Sequence, residues 1–151
     1  MDGTAINELR REALSVLVEA TPAELLSAVE ALGDLPPMTI LRAPEIGLVM
    51  VRGRIGGDGA PFNMGEATVT RAAVALPTGE IGHGHVLGRD PDRARLVAVL
   101  DACIQSSAHR QQVERVALAP IRARLRAERD RRAAETAATR VDFFTMVRGE
   151  D

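Results

Sequence analysis

The chain has 151 residues, 46% of them hydrophobic and 26% charged, with a net charge of −2, which suits one folded domain without a global attraction to nucleic acid or an acidic membrane. All 19 basic residues are arginine, which excludes Schiff-base lysine chemistry and a P-loop lysine, and the single cysteine, Cys103, excludes an internal disulfide or a thiolate cluster. Trp and Tyr are absent and Phe occurs three times, so the core must be aliphatic.

The start, MDGTAINELRREAL, is polar and helical rather than basic and then apolar, so no signal peptide is expected. Residues 5–20 place Ile6, Leu9, Ala13, Leu17 and Ala20 on one face of an amphipathic helix. Thr21-Pro22-Ala23-Glu24 then supplies an N-cap, a proline at the first helical position and a glutamate three residues after the cap, a strong start for a second helix that stops at Gly33. Pro36-Pro37 forbids more helix, and a β region follows. Met38–Arg42 reads as a short strand. Ile46–Arg54 reads as a second, and its apolar residues on both alternations predict a central position. Residues 55–66 read as a Gly-rich loop, Ala67–Leu76 as a third strand, Pro77-Thr78-Gly79 as a hairpin turn and Glu80–Gly88 as a fourth strand.

Asp90-Pro91-Asp92 opens a third helix that carries Leu96, Val97, Leu100 and Ile104 inward and runs to about Val116, with Pro120 expected to break or kink it. From Ile121 to Ala138 the chain is helical but barely amphipathic, with six arginines set against Glu128, Asp130 and Glu135. Such a helix lies on the surface or docks onto a partner. The tail turns apolar again at Phe143, Phe144, Met146 and Val147. No apolar run reaches the roughly 18 residues of a membrane span, and a reducing cytoplasm is the expected compartment. The expected class is α+β: a single domain over residues 1–151, with two N-terminal helices, a small, largely antiparallel sheet of about four strands, and two or three C-terminal helices. Residues 139–151 form a tail that either folds back on its own core or docks on a partner.

Three features could carry chemistry. The first is Arg52-Gly53-Arg54-Ile55-Gly56-Gly57-Asp58-Gly59, with Arg71 on the following strand. Consecutive N–H groups of a glycine loop can form an anion nest, and guanidiniums grip phosphate-like groups. Arg54, Gly56, Gly57 and Arg71 are therefore candidate contacts to a nucleotide or phosphonate. The spacing matches neither a Walker A motif nor a dinucleotide fingerprint, and a plain connection between strands is the competing reading. The second is His83-Gly84-His85, whose imidazoles share one strand face with Ile81 and Leu87, in a partly buried setting. Two histidines fall short of the three or four ligands of a zinc site, and the remaining histidine is His109. No metal and no cofactor is therefore expected. The third is the tail, where Phe143, Phe144 and Met146 have the chemistry of interface anchors. Cys103 reads as a small core residue, Ser106 and Ser107 lack an elbow motif, Asp90 and Asp92 serve a helix start, and Glu66 and Asp58 are the remaining general-base candidates. No self-sufficient active site emerges and no catalytic residue is assigned.

The chain resembles PhnG, the G subunit of the bacterial carbon–phosphorus lyase system, over nearly its whole length. The resemblance rests on Pro22-Ala23-Glu24-Leu25, Gly47-Leu48-Val49, Arg54, Gly56-Gly57, Gly59, Phe62, Gly65, Ala67-Thr68, Thr70-Arg71-Ala72-Ala73-Val74, Gly79, Gly82, Gly88-Arg89-Asp90 and the tail Arg140 to Gly149. The TRAAV strand and the tail are its specific parts. The resemblance implies a required but non-catalytic subunit, inactive alone, that assembles with H-, I-, J- and L-type subunits. It implies that the complex transfers the ribose triphosphate of ATP onto methylphosphonate in phosphonate catabolism, with ATP and methylphosphonate bound at the level of the complex. Arg140, Phe143, Phe144 and Met146 would then face a partner. A binding module whose Arg/Gly loop touches nucleotide or phosphonate directly is the alternative, and an independent hydrolase using His83 and His85 on a metal is a third reading.

Overall fold

A computed structural model of the chain describes residues 3–139, so the tail residues Arg140, Phe143, Phe144 and Met146 lie outside the described residues. Helix α1 spans Gly3–Leu17 and α2 spans Pro22–Ala31. A three-stranded antiparallel sheet follows, in the order β1 (Thr39–Arg54), β2 (Pro61–Ala75), β3 (Ile81–Leu87). Then come α3 (Pro91–Gln105), a short α4 (Arg110–Val113), a π-helical turn (Glu114–Leu118) and α5 (Ala119–Ala138). The class is α+β, as the sequence implies.

The α2 start forms as its sequence dictates. Thr21 accepts from the Glu24 amide at 3.2 Å, and Glu24 Oε2 accepts from the Thr21 amide at 2.8 Å, a complete capping box. Asp90 caps α3 by accepting from the Arg93 amide at 3.0 Å, with Pro91 at the first helical position.

Helix α3 is the centre of the molecule. Ala94 and Leu96 through Ile104 are all buried, because the sheet covers one side of the helix and α1 and α2 cover the other. Ala72, Val74 and Val86 of the sheet meet Val97, Leu100 and Ile104, and Leu17 and Leu25 close the core from the far side. Among the described residues no helix is long and apolar enough to cross a membrane.

Three expectations need correction. The two strands expected at Met38–Arg42 and Ile46–Arg54 are one continuous β1, so the sheet has three strands rather than about four. Pro44 does not end the strand, because β1 lies at the sheet edge, where a missing N–H is tolerated, and the proline sits in a bulge. Three steps along β1, from Arg42 to Glu45, match two along β2, from Ala73 to Arg71. For the same reason β1 is not central. The expected loop of residues 55–66 shrinks to the turn between Arg54 and Pro61, because Phe62 and Asn63 pair with Gly53 and Arg52 and extend the hairpin.

Helix α3 also stops earlier than its apolar pattern suggests. Ser106 turns extended, and Arg110 donates to the carbonyls of Ile104 (2.8 Å) and Gln105 (2.9 Å), capping the helix end. Pro120 neither breaks nor ends its helix. The preceding turn widens so that the Ala119 amide reaches the Glu114 carbonyl, an i to i−5 bond, which accommodates the missing donor one residue later.

Candidate functional site

The sheet has one face on α3 and one face open, and glycine decides which way β3 turns. Gly82, Gly84 and Val86 point at α3, against Ala94, Ala98 and Ala102. A Cβ on Gly84 would lie 1.8 Å from the Ala94 carbonyl oxygen, and one on Gly82 would lie 2.0 Å from that of Ala98. Helix and strand therefore touch backbone to backbone. Period two then sends Ile81, His83, His85 and Leu87 to the open face. All four are exposed, so the partial burial expected beside the histidines is absent, and Leu87 is 74% exposed.

The outer edge of β3 is closed by α3. The His83 amide donates to Asp101 Oδ2 at 2.8 Å, and Gln105 Nε2 donates to the Ile81 carbonyl at 2.7 Å. Asp101 has no exposed surface. It also receives Nε and Nη2 of Arg10 at 3.1 and 2.7 Å, so one buried carboxylate joins α1, α3 and β3 and fixes where the His83-Gly84-His85 segment lies. The hydrogen bonds to Asp101 hold the Arg10 pKa above its ordinary value, outweighing the effect of burial. Sequence reasoning missed Asp101. Its signal was a carboxylate on the inward stripe of α3, four residues after Val97 and three before Ile104.

On the open face the strand register places Arg71 beside His85 on one side and Glu45 on the other. Glu45 Oε1 accepts from Arg71 Nη2 at 2.9 Å and from Arg42 Nη1 at 2.6 Å. The Arg71 Nε atom is covered and has no hydrogen-bond partner. These residues border a cleft of about 550 Å³, floored by Ala73 and Gly84 and rimmed by Leu41, Arg42, Arg71, His83 and His85. The described residues bring no group of three His, Cys, Asp or Glu side chains together for a metal at this cleft. His109 stands apart at the start of α4, with Nδ1 3.4 Å from Ser106 Oγ.

Arg54, Gly56 and Gly57 lie elsewhere, at the tip of the β1–β2 hairpin. Arg54 Nη1 donates to the Gly59 carbonyl at 3.0 Å and the Gly59 amide donates to the Ile55 carbonyl at 3.1 Å. Gly56 and Gly57 take left-handed φ values of 65° and 87° to make the turn. Arg54 lies nine positions along β1 from Glu45, the register position opposite Arg71, roughly 30 Å of extended chain. The structure thus does not assemble Arg54, Gly56, Gly57 and Arg71 into one cradle.

The remaining candidates are dispersed. Cys103 is fully buried, and burial, aided by the Glu80 charge, pushes its thiol up to about 11, the opposite of an activated nucleophile. Ser106 ends α3, Ser107 is exposed in the turn after it, Asp58 sits in the hairpin turn, and Glu66 pairs across from Met50.

The hairpin itself is the unusual surface. β3 pairs with β2 only over Val69–Ala75, so beyond that point β1 and β2 run on as a two-stranded ribbon. Leu48 (61% exposed), Met50 and Met64 are bare along it, as are Phe62 and, at the tip, Ile55 (76%).

Two comparisons bear on what this arrangement serves. The family described as phosphonate metabolism protein PhnG matches residues 8–149. A protein of Rhizobium meliloti (strain 1021), described as alpha-D-ribose 1-methylphosphonate 5-triphosphate synthase subunit PhnG, is 60% identical over 142 residues, covering 94% of this chain and 90% of that protein.

Proposed function

The chain belongs to the PhnG family of phosphonate metabolism proteins, and from that premise we propose that it is a required, non-catalytic subunit of an alpha-D-ribose 1-methylphosphonate 5-triphosphate synthase. The observation that carries this reading is the 60% identity to a subunit of that synthase over 94% of the chain. Its role is to support transfer of the ribose triphosphate of ATP onto methylphosphonate in phosphonate catabolism. Its partners are H-, I-, J- and L-type subunits of the same system, and the tail residues Arg140, Phe143, Phe144 and Met146 contribute to assembly.

The site chemistry supports a supporting role. The one thiol is buried and held protonated. The two histidines of β3 stand beside an arginine already engaged by Glu45. Direct contact with nucleotide or phosphonate is the second reading, and the unpartnered Nε of Arg71 is the observation that favours it.

Co-expression with the I-type subunit tests both. The wild-type chain is expected to co-purify with it, and deletion of residues 141–148 is expected to abolish recovery while leaving the sheet and the far-UV circular dichroism intact. Arg71→Ala leaves assembly unchanged if Arg71 meets ligand, and then lowers the nucleotide affinity of the complex. A soluble monomer that never recovers the I-type subunit would sink the proposal.

A further inference from the structure

Residues 46–51 of β1 have the sequence of a buried strand, yet among the described residues Ile46, Leu48, Met50 and Val51 are exposed. Ile46, Leu48 and Met50 lie on one face, Val49 and Val51 on the other, and no charge interrupts residues 46–51. Among the described residues, past the point where β3 ends, Leu48 and Met50 are exposed on one face, and on the other Val51 is exposed and Val49 half-buried. An uncharged, apolar edge segment of this kind is an aggregation hazard unless something pairs with or covers it. Isolated two-stranded ribbons are also marginal in water, so a ribbon this long implies support from outside.

The side chains Leu48, Met50, Ile55, Phe62 and Met64 are each 42–76% exposed, a concentration of bare apolar groups of the kind that marks a protein interaction surface. The charges from residue 46 to residue 68, namely Arg52, Arg54, Asp58 and Glu66, sum to zero, so the ribbon selects for an uncharged surface.

A second copy of the chain covers the ribbon poorly. Pairing two β1 edges would extend the sheet and leave both faces wet, and stacking two ribbons would cover one face of each. Covering both faces takes a groove. We propose that the ribbon is an inserting arm: residues 48–68 enter an apolar, uncharged groove on a different subunit of the synthase, which closes over both faces. The inference rests on the reading of the chain as a synthase subunit and names the surface that joins it. The Arg42–Glu45–Arg71 ion pairs mark where the arm leaves the body of the domain.

The test uses the full chain co-expressed with the other synthase subunits. Replacing Leu48 with a photoactivatable benzoylphenylalanine and irradiating the purified complex is expected to give a covalent product with a non-identical subunit. The double variant Leu48→Gln, Met50→Gln is expected to keep the circular dichroism spectrum of the wild type, because neither side chain reaches the core, and to hold its partner at least tenfold more weakly. Wild-type affinity in a folded double variant overturns the arm. Cross-links between two copies of this chain overturn the choice of partner. If the wild-type chain recovers no partner, the subunit reading itself fails and the arm fails with it. If the double variant does not fold, the cross-link from position 48 decides alone, and a complex without a heterologous product overturns the arm.

Discussion

Glu24 does two jobs with one carboxylate. It completes the capping box of α2, and it accepts Nε of Arg124 at 2.6 Å and Nη2 at 3.1 Å, tying α5 to the start of α2 from 100 residues away. Arg124 also donates to the Glu19 carbonyl and to Glu128. Burial alone would raise the Glu24 pKa, but the hydrogen bonds from Arg124 and Thr21 outweigh it and hold the carboxyl below its ordinary value of 4.5. A carboxylate depressed in the folded state contributes stability that is present above its unfolded pKa and is lost as pH falls through the folded one. The stability gap between wild type and Glu24→Gln should therefore be full at neutral pH and shrink as pH falls below about 4.5, as read by urea unfolding at a series of pH values. A gap that stays constant to the acid limit would contradict this. The capping half of Glu24 was legible in the sequence because it is a four-residue local pattern. The Arg124 half was not, because nothing local distinguishes Arg124 from the other arginines of that helix. Asp101 was legible in principle, as a charge on an apolar stripe, although its partners in α1 and β3 were not.

At the scale of elements, the packing of β3 on α3 is set by residues that lack side chains. Gly84→Ala would drive a methyl group into the backbone of Ala94, and the strand would have to move away from the helix. The expected cost is about 2–3 kcal/mol in denaturant unfolding, against less than about 0.5 kcal/mol for the exposed His85→Ala. A Gly84→Ala variant as stable as the wild type would show that the close approach of helix and strand is not needed. Helix starts, the β3 alternation and the inward face of α3 could be read from sequence, because each follows from periodicity or capping chemistry. The merger of the first two expected strands could not. Whether a proline ends a strand or sits in a bulge depends on whether that strand lies at an edge, and edge position is a property of the sheet. The end of α3 was hidden for a similar reason: the cap comes from the guanidinium of Arg110 folding back, while the apolar period runs on through Val113 and Val116.

For the whole molecule, what the sequence pattern and the structure disagree about is the informative part. Ile46–Arg54 reads as a central strand, and among the described residues it is an edge strand with Ile46, Leu48, Met50 and Val51 exposed. Under the arm proposal, this apolar pattern is a record of burial in an assembly, where the missing layers come from other chains. α5 departs from the core in the same way: Ile121 and Leu125 are buried, while residues 129–139 are all exposed on the way to the tail. The structure sets the arginines and glycines of the expected cradle apart, and among the described residues the open sheet face pairs no nucleophile with a base. The contribution proposed for the chain is to the complex rather than to a reaction of its own. Adenine release from ATP in the presence of methylphosphonate, measured with the remaining synthase subunits before and after adding this chain, tests that claim most directly. The account predicts background release without the chain, restored release when it is added back, and none from the chain alone; full release in its absence, or turnover by the isolated chain, would contradict it.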